Sequence, residues 1–188
     1  MKQSIALFKV RRKLRQYYER SCPKVSFNYG HPSKDPETYF RNFANKLPFD
    51  SSSLVNEVVS VGDNSQIINK ADKACLREFD LLGSGPYRFD GVMDWHLDFK
   101  SGFRWPERVI YLKIMDISSA GADIKVPWEL SRFHHAVVLT LAYALTENDK
   151  YLNEFENQIR DWISSNPVGL GVNWTSPMEV SIRAINWL

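Results

Sequence analysis

The chain has 188 residues, which is enough for one domain or slightly more. Hydrophobic residues make up 44% of it and charged residues 24%, a balance that excludes disordered, collagen-like and low-complexity classes. The net charge of +2 is uneven, because residues 1–24 carry net +7 and residues 25–188 carry net −5. We therefore expect no nucleic-acid partner. No apolar run approaches the ~20 residues of a membrane-spanning helix, so we expect no membrane span either.

The first 24 residues are predicted to form a basic helix over 3–20, with positions 7, 10, 14, 17 and 18 on one apolar face. We favour a leader helix docked through that face over an arm for an anionic membrane, nucleic acid or polysaccharide. The apolar stretch 5–8 is too short for the core of a signal peptide. Cys22 and Cys75 lie far apart without metal-ligand spacing, so we expect two thiols and no metal or cofactor.

The middle of the chain is predicted to hold short helices and irregular loops. Residues 28–62 are broken by prolines, glycine and serines, and a helix over roughly 64–78 follows, with Ala71 and Ala74 on its apolar side. Residues 79–89 are strand-like. Residues 90–124 are irregular and rich in aromatics. Trp95 and Trp105 could offer flat platforms to sugar rings, or could instead fill the end of a helical domain.

The last third of the chain has clearer periodicity. A helix opened by Pro127 and running to about 145 is apolar nearly all round, which indicates burial on most sides. The next helix is amphipathic, with Tyr151, Phe155 and Trp162 on one face. A third helix, 177–188, follows a capping-box pattern and is again mostly apolar. Buried, surface and buried helices in succession predict two concentric layers, and so an all-α bundle or α/α toroid.

Two segments carry polar residues where a purely structural sequence would not need them. One is 123–135, whose charged residues crowd the start of a helix that later becomes apolar. Its adjacent histidines, 134 and 135, point about 100° apart on a helix, which disfavours a shared metal. The other is 171–188, where Glu179, Arg183 and Asn186 form one polar stripe. Glu179 and Arg183 could pair as a buried salt bridge, or the stripe could line a cleft.

Four segments, taken in chain order, carry a resemblance to a known family. They are DLLGSG (80–85), DWHLDFKSG (94–102), DIKVPWELSRF (123–133) and the region 171–187, which contains GVNW and the positions Glu179, Arg183, Ala184, Ile185, Asn186 and Trp187. Through them the chain resembles the N-terminal toroid part of the heparinase II/III family of polysaccharide lyases. The resemblance implies the beginning of an incomplete (α/α) toroid over 25–188, preceded by the basic helix within 1–24.

Members of this family cleave uronate-containing polysaccharides by β-elimination, so the resemblance implies an acidic polysaccharide as partner. An Asn helped by His typically neutralises the uronate carboxylate, and a Tyr removes the C5 proton. The family's Asn-His element lies beyond the region ending in INWL, and this chain has no Asn-His dipeptide. We therefore assign no catalytic residue here, and expect the missing C-terminal part of the same polypeptide, including a β-sandwich, to supply them.

The chain is accordingly expected to form part of a substrate cleft and to be inactive alone. The alternatives are a non-catalytic carbohydrate-binding or scaffold module and, ranked below it, a membrane- or nucleic-acid-associated protein that uses the basic helix. The predicted substrate-binding residues are Lys125, Trp128, Arg132, His135, Asn173, Trp174, Glu179 and Arg183.

Overall fold

A computed structural model of the chain describes residues 63–117, 119 and 121–187. The predictions for the basic helix 3–20, for the boundary at residue 24 and for Cys22 lie outside these residues. Asp63–Leu188 forms a compact unit. Within it, Cys75 is a free thiol whose pKa is raised to about 11 by burial.

The described residues are mostly helical, which confirms the all-α class. The α-helices are α1 (Asn64–Cys75), α2 (Lys125–Ser131), α3 (His134–Thr146), α4 (Asp149–Ser165) and α5 (Pro177–Trp187). Two 3₁₀ helices, η1 (Tyr111–Asp116) and η2 (Val172–Trp174), lie between them. The strands are β1 (Glu78–Phe79), β2 (Tyr87–Arg88), β3 (Leu97–Asp98) and β4 (Phe103–Arg104).

Helix α1 is capped by Asp63 and packs against α3 and α4. The Asp63 carboxylate accepts hydrogen bonds from the backbone amides of Ser65 (3.0 Å) and Gln66 (3.3 Å), which satisfies two otherwise unpaired donors. Ala71 and Ala74 are buried, as predicted. The helix ends at Cys75 rather than near 78, and Arg77 adopts a left-handed conformation with φ +56°.

The irregular segment after α1 contains two short antiparallel hairpins. In the first, β1 pairs with β2 so that Phe79 lies opposite Tyr87, and the residues between them form a glycine-containing turn rather than the continuous strand predicted over 79–89. In the second, β3 pairs with β4 so that Leu97 lies opposite Arg104. The buried Asp98 ties this hairpin to the region before α2, because its carboxylate accepts a 2.8 Å hydrogen bond from the Asp123 amide.

The single helix predicted from Pro127 to about 145 is wrong, because the chain breaks between α2 and α3. Phe133 adopts a left-handed conformation (φ +60°, ψ 34°) at the break. Its buried ring stacks on Trp95 at 5.1 Å and meets Trp187 edge-on at 5.3 Å. These aromatic contacts offset the conformational cost of a non-glycine residue at positive φ.

Helix α3 is also less buried than its apolar composition predicts. Only Ala136, Leu139 and Ala142 are buried, and Val137 is 44% exposed. Helix α4 matches its prediction: Asn148 caps it by accepting from the Lys150 amide at 3.1 Å, and its apolar face is buried. The buried residues of α4 are Tyr151, Leu152, Phe155, Gln158, Ile159 and Trp162.

Helix α5 begins at Pro177 as predicted, but it buries polar side chains and exposes apolar ones. Glu179 and Arg183 are 1% and 3% exposed, whereas Met178 and Ile185 are 58% and 69% exposed. The predicted apolar burial of this helix is therefore wrong for those two positions. Its inner face is polar because α2 and η2 offer charged and hydrogen-bonding partners to it.

Candidate functional site

A buried polar cluster lies where α2, η2 and α5 meet. Arg132, at the end of α2, binds Glu179 of α5 with two hydrogen bonds: Nε donates to Oε2 at 2.6 Å and Nη2 to Oε1 at 2.8 Å. Its Nη1 also donates to Glu129. Fork-to-carboxylate pairing of this kind is strong and directional. The buried Glu179 charge is thus compensated by a guanidinium that is 23% exposed.

The Glu179–Arg183 salt bridge, one of the two alternatives for this polar stripe, does not form, because Glu179 binds Arg132 instead. Arg183 donates to two backbone carbonyls, Asn173 O at 3.1 Å and Ser131 O at 3.4 Å. Its guanidinium lies 4.1 Å from the ring centroid of Trp162 and 5.5 Å from that of Trp174. Burial lowers the pKa of Arg183 to about 10. Arg183 therefore fastens α5 to both α2 and η2.

Asn173 joins two of the sequence segments that the family resemblance singled out. Its Nδ2 donates to Trp95 O at 2.9 Å and to Asn166 Oδ1 at 2.8 Å, and it is fully buried. Asn166 in turn donates from Nδ2 to Trp162 O at 2.9 Å. The amide pair holds η2 against the end of α4 and the strand β3 region. The sequence did not single out Asn166 as a site residue, because no periodic signal marks it.

Four predicted residues remain accessible around this buried cluster: Lys125, Trp128, Arg132 and Trp174. Lys125 is exposed at the start of α2, and Trp128 and Trp174 are partly exposed. Both indoles are fixed: Trp128 Nε1 donates to Val172 O at 3.0 Å, and Trp174 Nε1 donates to Asn166 O at 3.3 Å. The cluster therefore presents two rigid aromatic rings, the partly exposed Arg132 and one flexible cation.

His135 lies apart from this cluster, on the side of α3 that faces α4. Its Nε2 is 2.7 Å from Gln158 Oε1, and its ring contacts Phe79 at 4.9 Å. Gln158 Nε2 donates to Ala74 O and to Glu154, so Gln158 Oε1 accepts and His135 Nε2 carries the hydrogen. Burial lowers the pKa of His135 to about 4. His135 thus serves as a neutral, partly buried residue that packs α3 against α4.

Acidification is expected to destabilise the chain through His135. Its pKa is about 4 when folded and 6.5 in the reference state, so the unfolded chain binds more protons between these values. The stabilisation from neutral His135 is fully present above pH 6.5. It is lost as the pH falls towards 4, and this loss lowers the free energy of unfolding by about 3 kcal/mol. Burial also lowers the pKa of His96, which acts in the same direction.

Denaturant unfolding of the chain and of His135→Gln at pH 7 and pH 4.5 checks this expectation. Gln keeps a donor for Gln158 but does not titrate, so the fall in unfolding free energy between the two pH values should be smaller in the variant. An equal fall in both proteins would show that another group controls the acid sensitivity.

The proposed sugar platforms in the segment 94–105 are wrong. Trp95 is 0% exposed and Trp105 is 4% exposed, so neither indole face is available to a ring in solution. Trp95 donates from Nε1 to Asp161 at 2.8 Å and stacks on Phe133. These residues fill the interior beside the helices, which was the alternative interpretation.

His96 and Gly171 form a close contact that sequence reasoning did not find. A Cβ at Gly171 would lie 2.8 Å from His96 Nε2 and 3.2 Å from Glu107 O. Gly171 has φ +79° and ψ 179°, a region that only glycine occupies readily. His96 is 1% exposed and its Nε2 has no hydrogen-bond partner among the described residues. This contact packs the loop before η2 against the residues that precede β3.

The described part of the chain has neither a metal-binding group nor a membrane-spanning helix. No group of three or more His, Cys, Asp or Glu side chains there is placed to hold a metal ion. None of the helices there has the length and hydropathy needed to cross a membrane.

Comparison with known proteins places the chain in a family. Residues 12–187 match the family described as "Heparinase II/III N-terminus". The chain is 28% identical over 171 residues to a "Heparin-sulfate lyase" of Pedobacter heparinus, a match that covers 88% of this chain and 21% of that protein. No solved structure matches the chain. The chain thus spans about a fifth of the length of this curated relative. The family match covers the segments that meet at α2, η2 and α5, and the chain belongs to the heparinase II/III family.

Proposed function

We propose that the chain is the N-terminal part of a lyase that cleaves a uronate-containing acidic polysaccharide by β-elimination, and that it forms one wall of the substrate cleft. The observation that carries this proposal is the family match, which runs from residue 12 to residue 187 and includes all eight candidate residues. The relative's name, a heparin-sulfate lyase, supports a polysaccharide substrate. Catalytic groups come from a C-terminal part of the same polypeptide.

The chemistry of β-elimination explains what such a wall must do. The C5 proton of a uronate is weakly acidic until the carboxylate is neutralised, so the substrate has to be held with its carboxylate at fixed donors. A long chain of sugars also needs contacts away from the reacting bond, because remote binding energy positions the reacting centre. Rigid aromatic faces and cations at the surface supply such contacts.

The candidate residues divide into two groups under this proposal. Lys125, Trp128 and Trp174 contact the polysaccharide, with Arg132 at the edge of the wall, because these side chains have accessible surface. Asn173, Glu179 and Arg183 are buried and act as positioning residues that hold η2 and α2 in place. His135 belongs to neither group, since its ring packs between Phe79 and Gln158.

Turnover by two forms of the protein tests the proposal. The 188-residue chain and a polypeptide extended to the length of the relative are incubated with heparan sulfate, and the ultraviolet absorbance of the unsaturated uronate product is followed. We expect product from the extended polypeptide only. No product from either form on heparan sulfate, alginate or a bacterial acidic exopolysaccharide would contradict the lyase assignment and favour a non-catalytic binding module.

Lys125→Met in the extended polypeptide tests the cleft wall itself. Removing one charge-assisted contact to the substrate is expected to raise KM roughly tenfold with little change in kcat. The matched control is Lys150→Met, because Lys150 is also half-exposed but pairs with Asp72 on the α1–α4 surface. Unchanged KM in Lys125→Met, or an equal rise in both variants, would remove Lys125 from the cleft.

A further inference from the structure

The break between α2 and α3 brings three polar side chains together at the surface: Glu129, His134 and Asn186. The His134 side chain is 58% exposed and that of Glu129 is 20% exposed. They come from α2, α3 and α5, and the left-handed Phe133 turns the chain so that these helices converge. None of these three residues is among those assigned to the cleft wall, so the proposed function does not explain why they lie together.

The orientation of the Asn186 amide is fixed by its neighbours. Its Nδ2 donates to Arg132 O at 2.7 Å, and a backbone carbonyl only accepts, so the amide nitrogen must face that carbonyl. The same Nδ2 lies 3.2 Å from His134 Nδ1. Because Nδ2 has a second hydrogen, His134 Nδ1 is the acceptor and the ring carries its hydrogen on Nε2.

In this tautomer the hydrogen on His134 Nε2 lies near a carboxylate oxygen of Glu129 but does not form a hydrogen bond with it. His134 Nε2 is 3.8 Å from Glu129 Oε1, which is too long for a hydrogen bond. The other oxygen of Glu129 accepts from Arg132, so Oε1 is left facing the imidazole. A hydroxyl group both donates and accepts. One hydroxyl oxygen placed about 2.8 Å from each atom would accept from Nε2 and donate to Oε1.

We propose that Glu129 and His134, with His134 oriented by Asn186, form a subsite for an unsubstituted hydroxyl group of a sugar ring. The inference rests on the proposed function and adds a contact outside the cleft wall described above. The negative charge of Glu129 opposes a carboxylate or sulfate at this position, so the subsite selects a neutral hydroxyl. It therefore makes the protein sensitive to sulfation at one position of the polysaccharide.

Isothermal titration of the 188-residue chain with an unsulfated tetrasaccharide of alternating glucuronate and N-acetylglucosamine tests the subsite. His134→Leu removes the donor at a mostly exposed position, and we expect about fivefold weaker binding, the loss of one hydrogen bond. Asn186→Asp keeps the side-chain volume but offers His134 Nδ1 an acceptor, which, in a buffer alkaline enough to keep the imidazole neutral, moves the ring hydrogen to Nδ1. We expect the same loss of affinity, together with a tautomer change seen in the ¹⁵N signals of the ring.

Asn157→Asp on the exposed side of α4 is the matched control, because it adds the same charge to the surface. It should leave both the affinity and the His134 tautomer unchanged. Wild-type affinity in His134→Leu, or equal losses in Asn186→Asp and Asn157→Asp, would overturn the subsite while leaving the proposed function intact. Failure of the unmodified chain to bind the tetrasaccharide would overturn the subsite, whereas turnover by the extended polypeptide decides the proposed function separately.

Discussion

Replacement of Arg132 by Met is expected to lower the free energy of unfolding of the chain by about 3–5 kcal/mol, the cost of leaving a buried charge without its partner. Glu179 is 1% exposed and depends on two hydrogen bonds from Arg132, at 2.6 and 2.8 Å. Met preserves most of the side-chain length, so the loss comes from the charge and the hydrogen bonds rather than from a cavity. Denaturant unfolding monitored by tryptophan fluorescence measures it.

The control for this prediction is Arg104→Met. Arg104 also binds two carboxylates, Asp94 at 2.7 Å and Glu107 at 3.0 Å, but its side chain is 50% exposed. Exposed ion pairs contribute at most about 1 kcal/mol. The double variant Arg132→Met, Glu179→Met should recover much of the lost stability, because no charge is then left buried. Equal effects of the two single variants would contradict the buried-pair explanation.

Gly171→Ala is expected to destabilise the chain by about 3 kcal/mol or more. The backbone at Gly171 costs a non-glycine residue on the order of 1–3 kcal/mol by itself. The added methyl group would also lie 2.8 Å from His96 Nε2 and 3.2 Å from the Glu107 carbonyl, and that carbonyl is backbone that moves little. Because Gly171 precedes η2, the displacement would reach Asn173 and its hydrogen bonds to Trp95 and Asn166.

Gly169→Ala is the control in the same loop. Gly169 has φ +78°, close to the +79° of Gly171, but a Cβ there meets no atom within 4 Å, and the residue lies in a turn closed by the hydrogen bond from the Leu170 amide to Pro167 O. The difference in unfolding free energy between the two variants therefore measures the contact with His96 and Glu107 together with the ψ of 179° at Gly171. If Gly169→Ala is as destabilising as Gly171→Ala, the contact contributes nothing and backbone strain explains both.

The periodicity of α4 predicted its buried face because the helix is amphipathic and packs by ordinary apolar burial. The same rule fails at α5. There the polar stripe of Glu179 and Arg183 faces inward, since the partners that satisfy it lie far away in sequence: Arg132, 47 residues earlier, and Ser131. A spacing rule within one helix finds the Glu179–Arg183 pair but not these longer-range partners.

The break at Phe133 could not be read from the sequence either. Phenylalanine carries no signal for a left-handed conformation, and glycine or asparagine would be the usual marker. The conformation depends on Trp95 and Trp187, which enclose the Phe133 ring. Trp95 looked available as a sugar platform because the sequence does not reveal these long-range contacts, in which the Trp95 ring packs against Phe133. The resemblance, by contrast, identified segments 94–102, 123–133 and 171–187, and the structure brings them into contact.

That contact supports the proposed polysaccharide wall, because it holds the rings of Trp128 and Trp174 on a scaffold of buried hydrogen bonds. A polysaccharide wall needs such rigid rings, since ordering flexible side chains on binding reduces affinity. The basic residues of the segment 1–24 are a separate contribution to any polyanion affinity. A site-resolved measurement distinguishes the two.

The most direct measurement is the ¹H–¹⁵N NMR spectrum of the 188-residue chain titrated with a heparan sulfate tetrasaccharide, with the indole signals as reporters. We expect saturable, salt-sensitive shifts of the Trp128 and Trp174 indole signals, no shift of the buried Trp95 indole, and no response to neutral dextran of equal length. Shifts confined to residues 1–24, or equal shifts with dextran, would contradict the claim that this chain forms a wall for an acidic polysaccharide.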